Sequence, residues 1–191
     1  MKLMRLVGLA LSPLRPGVDA LTGEKLGRRV PATIAVTSPV FKESDAIPRL
    51  FTAQGDGRFP GVAWSGLPEG TRSVVLLVED ADIPFAVPVT HLIVHSIDPE
   101  VTEIATGAVK AFMPGSSHEG WACGRNFLGA VGWTPPAPPP GHGPHRYAFQ
   151  VFALDAAPSF RHPPHRGRLM RTIRPHILAR GRLVGTYVNL H

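Results

Sequence analysis

The fold is decided by PPAPPPGHGPHRYAFQVFAL, residues 135–154, where a proline-rich segment runs directly into a long apolar run. Proline fixes φ and lacks the N–H that a helix interior or a central strand needs, so residues 135–144 are predicted to form a rigid loop. The aromatic and β-branched residues of 146–154 predict a well-packed strand. His145 is therefore expected at the mouth of a strand, beside a stiff loop that serves either as a pocket wall or only as a rigid connector.

The composition is typical of a globular protein built largely from β-strands. The chain has 191 residues, of which 43% are hydrophobic and 18% charged, and its 21 prolines and 20 glycines indicate many turns. We predict an all-β-dominated fold, with an irregular N-terminal lead-in over residues 1–30 and a single domain over residues 31–191.

Hydrophobic patterning predicts the main elements. Strands are expected at residues 34–38, 62–66, 73–79, 89–97, 146–154 and 183–189. The 73–79 run is continuously apolar and is predicted to be buried on both faces. One helix is expected near the C-terminus, where apolar residues recur at helical spacing and Pro175 should stop the helix near Arg174. The residues of that pattern are Leu169, Met170, Ile173, Ile177 and Leu178.

The N-terminal segment and the cysteine content bear on location. Arg5 interrupts the first apolar residues and Pro13 follows closely, which is a poor match to a signal peptide. No run of about 18 apolar residues is present, so no transmembrane helix is predicted. Cys123 is the only cysteine, which excludes an intrachain disulfide. We expect a cytoplasmic protein.

The net charge of +6 is placed unevenly, because the last acidic residue is Asp155 and seven arginines follow it. An arginine-rich end can attract nucleic acid or an anionic membrane, so peripheral membrane contact is left open. Only Phe160 and Tyr187 could stack with bases there, and we interpret this end as a solvated surface that does not bind nucleic acid.

Common catalytic, metal and cofactor motifs are missing from the sequence. His91 and His95 lie about 13 Å apart if their segment is a strand, too far to share a zinc ion. No G-x-S-x-G elbow, phosphate-binding loop or dinucleotide-binding loop occurs, so no cofactor or metal is expected. Cys123 could act as a nucleophile with a histidine as base, although a lone cysteine is more often a small buried residue.

Polar residues remain where the predicted loops meet strand ends. Histidine and tyrosine can donate hydrogen bonds to an anion, and a carboxylate beside a histidine favours the imidazolium. Such a set suits phosphate, carboxylate, sulfate or a zwitterion, or it consists of ordinary turn and strand-end residues. Its members are Asp80, Asp82, His91, His145 and Tyr147.

Four ordered blocks resemble the phosphatidylethanolamine-binding protein family, in its bacterial Raf-kinase-inhibitor-like branch. They are WSGLPEGTRS at 64–73, EDADIP at 79–84 with His91 after it, GRN at 124–126 with PP at 138–139 and HRY at 145–147, and HILA at 176–179 with LVGTY at 183–187. Together they are distributed over about residues 33 to 188, which is nearly the whole chain.

This resemblance implies an antiparallel β-sandwich with Greek-key links and a small pocket for phosphate-like anions or a phosphoethanolamine head group. It also implies a binding and regulatory protein, a modulator of kinases or proteases, with no established catalytic activity. The residues that correspond to the family's pocket are Asp80, Asp82, Pro84, His91, Pro139, His145 and Tyr147.

The sequence departs from the family pattern around this pocket. Ala81 and Ile83 replace the proline and alanine of the family's acidic loop, Leu92 stands where an aromatic residue is common, and Phe127 stands where a polar residue usually occurs. These changes predict a narrower or more apolar pocket.

Three functional hypotheses follow. The first is a non-enzymatic module that binds a small anion or a phospholipid head group, with Asp80 orienting His91 and with His145 and Tyr147 donating. The second is a regulatory partner of a kinase or protease, which would use the proline loop or the segment 161–174 as its contact surface. The third is a weak hydrolase with His91 or His145 as general base.

Overall fold

Two antiparallel sheets dominate the computed structural model, which describes residues 2–110, 117–118 and 120–190. The smaller sheet has the order β1-β2-β5 and the larger one β6-β7-β4-β3-β8-β9. The strands are β1 (Ala35–Thr37), β2 (Val62–Ser65), β3 (Ser73–Asp80), β4 (Val89–Ile97), β5 (Glu103–Ile104), β6 (Ser117–His118), β7 (Trp121–Cys123), β8 (His145–Leu154) and β9 (Ile177–Tyr187). The predicted all-β-dominated fold is confirmed.

The main core lies between the two sheets. Alternate residues of the long strands point into it, as the period of two in a strand requires. Trp64 of the small sheet packs there with side chains such as Leu76 and Phe149 of the large sheet. The other face of the large sheet is covered as well, by a second cluster that contains Leu77, Phe152 and Leu169. All of β3 is therefore buried, as its sequence predicts.

Helix α2 (Arg166–Ile173) confirms the predicted C-terminal helix. The prediction that Ile177 and Leu178 belong to the helical pattern is wrong, because Pro175 sits in a 3₁₀ turn (Arg174–His176) and Ile177 already begins β9. That strand pairs with β8 from His145 to Leu154, so it starts earlier than the predicted 183–189 strand. Ladder hydrogen bonds to β8 override the local helical spacing.

The prediction of an irregular lead-in is also wrong. Helix α1 (Lys2–Leu11) opens the chain, and 3₁₀ turns follow at Val18–Ala20 and Glu24–Arg29. Lysine, leucine, methionine, arginine and alanine are good helix formers, and Pro13 lies just beyond the helix end. None of the helices in the described residues is long and apolar enough to cross a membrane.

After α1, the chain crosses the outer face of the large sheet as a strap, which we define as residues 12–30. Leu21 is fully buried against Ala81, Ala148 and Val184. The backbone N–H of Gly17 donates to the carbonyl of Ala81 at 2.9 Å. The strap thus packs on one end of the large sheet and contacts the loop next to the carboxylates at the end of β3.

We predict that Leu21→Ala lowers the free energy of unfolding by about 2–4 kcal/mol, because it leaves a cavity under the strap. Leu14→Ala is the matched control, since Leu14 is 54% exposed and its truncation should change stability by less than about 0.5 kcal/mol. Urea denaturation measures both variants. Equal effects would show that the strap does not pack on the sheet.

Candidate functional site

Two buried carboxylates mark the end of β3 and the loop that follows it. Asp80 is the last residue of β3 and pairs with Tyr147 on β8, while Asp82 follows two residues later. The backbone N–H of Asp82 donates to Asp80 Oδ1 at 2.8 Å, which fixes the side chain of Asp80. A buried carboxylate must be paired, and each of these two recruits a different partner.

Asp80 pairs with His145 and begins a chain of hydrogen bonds. Asp80 Oδ2 lies 2.7 Å from His145 Nδ1, and His145 Nε2 lies 2.7 Å from His142 Nδ1. His142 Nε2 in turn donates to the carbonyl of Leu11, at the end of α1, at 3.0 Å. The sequence predicted that Asp80 orients His91, and this is wrong, because β8 places His145 rather than His91 against the carboxylate.

The chain from Asp80 to Leu11 holds one proton more than two neutral imidazoles provide. Its three hydrogen bonds need three protons, and each neutral ring supplies only one. Burial lowers the pKa of His142, and the charge of His145 lowers it further, so His142 is the neutral ring. The additional proton lies within this hydrogen-bonded chain, where the carboxylate of Asp80 offsets its charge.

Asp82 points away from the histidines and anchors Arg146. Its carboxylate accepts from the backbone N–H, Nε and Nη2 of Arg146 at 2.8, 2.7 and 2.5 Å, and Arg15 of the strap lies 3.5 Å away. Burial would raise the pKa of Asp82, but the hydrogen bonds and charges of Arg146 and Arg15 outweigh it and hold that pKa below its usual value. Asp82 thus fixes Arg146 and Arg15 next to the site.

A β-bulge aims His91 into the same cluster. In the register of β3 with β4, Val78 faces Leu92 and Glu79 faces Thr90, so His91 is an extra residue between two pairs. Bulges of this kind redirect a side chain. The ring of His91 meets that of Tyr147 edge-on, with centroids 5.2 Å apart.

His91 is held as a neutral imidazole. Its Nδ1–H donates to the carbonyl of Thr134 at 2.7 Å. Burial lowers its pKa, and the charge of Asp80 and the bond to Thr134 counteract this only in part. Because Nδ1 carries the proton of the neutral ring, Nε2 of His91 is a hydrogen-bond acceptor.

Tyr147 contributes a buried hydroxyl group. The residue is fully buried and its hydroxyl makes no well-formed hydrogen bond within the described residues, although the carboxylate of Asp80 and the backbone of Ala137 are near enough to interact with it. Burial raises the pKa of Tyr147 well above its usual value, and Asp80 raises it further. The hydroxyl stays protonated and is available as a donor.

The two prolines of the predicted site lie at its edges. Pro139 accepts a backbone hydrogen bond from His142 at 3.1 Å and so shapes the turn that presents this ring. Pro84 is half-buried in the loop after Asp82. Sequence reasoning did not include His142, Arg15 or Thr134 in the site. Only His142 gave a signal, since it precedes His145 by three residues on the proline-rich loop.

The remaining reactive side chains lie elsewhere. His95 packs against Phe160 with ring centroids 4.9 Å apart, and burial lowers its pKa to about 4. Burial raises the pKa of the Cys123 thiol to about 12, so the thiol stays protonated. Within the described part of the chain, no group of three or more histidine, cysteine, aspartate or glutamate side chains could hold a metal ion.

Comparison with known proteins places this geometry in a family. The model of the phosphatidylethanolamine-binding protein family matches residues 37–188. A UPF0098 protein of Aquifex aeolicus is 35% identical over 158 residues, which cover 82% of this chain and 89% of that protein. A second UPF0098 protein, from Pyrococcus horikoshii, is 36% identical over 78% of this chain and 74% of its own length.

Solved structures show the same fold. A putative phosphatidylethanolamine-binding protein homologue of Chlamydia trachomatis superposes with a TM-score of 0.73 at 31% identity, covering 82% of this chain and 98% of that one. YbcL of Escherichia coli, described as a member of the mammalian phosphatidylethanolamine-binding protein family, gives a TM-score of 0.76 at 26% identity over 83% and 99% of the two chains. The first 36 residues of this chain precede the part that matches the family model.

Proposed function

This chain belongs to the phosphatidylethanolamine-binding protein family, and from this premise we propose that its histidine cluster binds a small oxyanion. We define the histidine cluster as Asp80, His91, His142, His145 and Tyr147. The ligand class is inorganic phosphate or the phosphate of a head group such as phosphoethanolamine. The proposed function is binding and, through binding, regulation.

The buried hydroxyl of Tyr147 carries this proposal. A buried donor without a well-formed hydrogen bond costs about 1–3 kcal/mol, which a folded protein tolerates where a ligand supplies the acceptor. The ring that carries this hydroxyl has its centroid 5.2 Å from that of His91 and 6.4 Å from that of His145. The hydroxyl of Tyr147 and Nε2 of His145 offer donors and Nε2 of His91 offers an acceptor, a set that suits an oxyanion that keeps one proton.

Charge balance supports an oxyanion that keeps one proton. The carboxylate of Asp80 offsets the additional proton of the hydrogen-bonded chain, so the ligand meets N–H and O–H donors rather than a net positive charge. Nε2 of neutral His91 offers an acceptor to the P–OH of such a ligand. A phosphate monoester near neutral pH is partly in this singly protonated form.

Access to the cluster depends on His142. Its Nδ1 lies against Nε2 of His145, which is the nitrogen that would otherwise donate to a ligand. An oxyanion reaches that donor when the ring of His142 turns aside and gives up its bond to the Leu11 carbonyl. Binding at the cluster is thus coupled to the contact between α1 and the proline-rich loop.

The same geometry argues for binding rather than catalysis. His145 Nε2 faces an imidazole instead of a hydroxyl or a thiol that it could activate. The thiol of Cys123 is buried and protonated, with a pKa of about 12. A hydrolase that uses His91 or His145 as a general base would need a nucleophile, either a side chain or a water molecule, in contact with one of these rings.

We predict that Tyr147→Phe weakens binding of inorganic phosphate and O-phosphoethanolamine about tenfold, because one donor to a charged ligand is lost. Stability should stay the same or rise, since the hydroxyl makes no well-formed bond in the free protein. Titrations followed by the NMR signals of the histidine ring protons measure the affinity. The signals of His91 and His145 should shift and saturate, while that of His95 should not.

Tyr187→Phe is the matched control for this experiment, since it makes the same chemical change outside the histidine cluster. It should leave the affinity unchanged. If wild type and Tyr147→Phe bind the ligand equally strongly, the hydroxyl of Tyr147 does not contact the ligand. Absence of saturable shifts in the wild type would refute the proposed function itself.

We predict that sulfate binds about tenfold more tightly at about pH 5.5 than at about pH 7.5. The pKa of His91 is lowered by burial in the free protein, and a bound anion raises it, so binding takes up a proton and is favoured as the pH falls. Sulfate does not titrate in this range. In His91→Asn, which keeps a donor to Thr134, most of this pH dependence should disappear. If the variant keeps the full pH dependence, the proton taken up on binding goes to a group other than His91.

As a second candidate we propose that the face of α2 contacts an acidic segment of a regulatory partner. A cavity of about 210 Å³ beside α2 is lined by the cationic side chains Lys25, Arg166 and Arg174 and by the apolar Leu26 and Met170. Arg166 is engaged with the buried Glu79, while Lys25 and Arg174 are exposed. Cations around an apolar floor suit an acidic peptide with an apolar residue.

Charge reversal tests this second candidate. Lys25→Glu/Arg174→Glu should weaken binding of a synthetic peptide of alternating glutamate and leucine by about tenfold or more, measured by fluorescence anisotropy. Lys42→Glu/Arg49→Glu makes the same change in net charge at exposed residues outside this cavity and should have little effect. Equal losses in the two variants would indicate nonspecific attraction and refute the candidate.

A further inference from the structure

Helix α1 turns its apolar side chains outward. Gly8 is the buried residue among positions 3–11, whereas the large apolar residues around it are exposed. A surface helix normally does the opposite and buries its apolar stripe. The exposed fractions are 72% for Leu3, 61% for Met4, 62% for Leu6, 48% for Val7 and 53% for Leu9.

The contact between α1 and the rest of the protein is made by backbone. A side chain at Gly8 would collide with the carbonyl oxygen of Pro140, and a side chain at Gly141 would collide with the backbone of Arg5. These two glycines let the helix lie directly on the proline-rich loop. Leu3, Leu6, Val7 and Ala10, at spacings of three, four and seven, then form one outward stripe.

The charges of this segment have a single sign. Lys2 and Arg5 of α1 are cationic, Arg15 of the strap is paired with Asp82, and no acidic residue precedes Asp19. The strap connects to a second exposed apolar segment, since Gly17 bonds to Ala81 and the loop that starts there carries Phe85 at 58% exposure. Apolar side chains accompanied only by cations are complementary to an anionic lipid surface.

We infer that α1 docks this protein onto the surface of membranes that contain anionic lipids. A helix of ten residues is about 15 Å long, half the hydrocarbon thickness of a bilayer, so it lies in the interface rather than spanning it. Its apolar stripe enters the head-group boundary and its cations meet lipid phosphates. A second copy of this chain is a poorer occupant, because a symmetric contact would bring like charges together without acidic partners.

This docking surface is distinct from the histidine cluster, and the inference does not depend on the proposed oxyanion site. The two are nevertheless adjacent, because Leu11 at the end of α1 accepts the hydrogen bond of His142. A protein seated on lipid through α1 therefore holds the histidine cluster next to the head-group layer. Membrane docking would bring the cluster near phosphorylated head groups.

Vesicle flotation of the full chain tests the inference. Phosphatidylcholine vesicles with about 30 mol% phosphatidylglycerol should bind at least about tenfold more protein than pure phosphatidylcholine vesicles, and about 0.5 M salt should reduce the difference. Leu3→Glu/Leu6→Glu should lower this binding at least about tenfold. Leu50→Glu, at 44% exposure on another segment, is the control and should bind like wild type.

Absence of vesicle binding by the wild type would overturn the inference, and so would an equal loss in Leu50→Glu. If no vesicles bind and Leu3→Glu/Leu6→Glu abolishes a concentration-dependent dimer, the surface is occupied by a second copy of the chain instead. Excess soluble O-phosphoethanolamine should leave vesicle binding intact. Displacement by this compound would mean that lipid is held by the histidine cluster, not by α1. Vesicle binding in a protein whose histidine signals do not shift with phosphate would refute the oxyanion site alone.

Discussion

Three carboxylates buried at the end of β3 organise this end of the molecule. Glu79, Asp80 and Asp82 are each less than 2% exposed, and a buried charge is tolerated only when it is paired and hydrogen-bonded. Neighbouring residues of a strand point to opposite faces, so each carboxylate collects partners from a different part of the chain. Glu79 accepts hydrogen bonds from Thr22 of the strap, Gln150 of β8 and Arg166 of α2. Asp80 binds His145. Asp82 binds Arg146 and Arg15.

Pairing these charges ties the N-terminal segment to the histidine cluster. Arg15 contacts Asp82 and also donates to the backbone carbonyls of His142 and Pro144, while Leu11 accepts from the ring of His142. The same loop therefore carries the site and supports α1. Rotation of the His142 ring must alter the contact with α1, because Nδ1 of this ring contacts His145 while Nε2 donates to the carbonyl of Leu11 in α1. The first 36 residues, which precede the match to the family model, thus complete the surroundings of a site that the family region provides.

The strands could be predicted because hydrophobic patterning and proline positions depend on local sequence. The apolar run of β3 and the proline-rich loop follow from residue types alone, and so does a strand over residues 146–154, which β8 extends by one residue to His145. The direction of His91 could not be predicted, since it depends on a bulge set by the register of β3 with β4. The bond from His142 to Leu11 joins residues 131 positions apart, and no local pattern encodes it. Helix α1 was missed because its apolar stripe faces away from the protein, where patterning assumes a core.

The departures from the family pattern act on the wall of the site rather than on its donors. Leu92 is fully buried in the main core, so it changes packing behind the site. Phe127 lies with its ring centroid 5.4 Å from that of His91 and remains 42% exposed, so it forms an apolar wall beside the His91 ring. An apolar wall lowers the local dielectric constant and strengthens each hydrogen bond to an oxyanion, but it gives little to a second charged group. The residues that differ thus favour a compact oxyanion over an extended zwitterion.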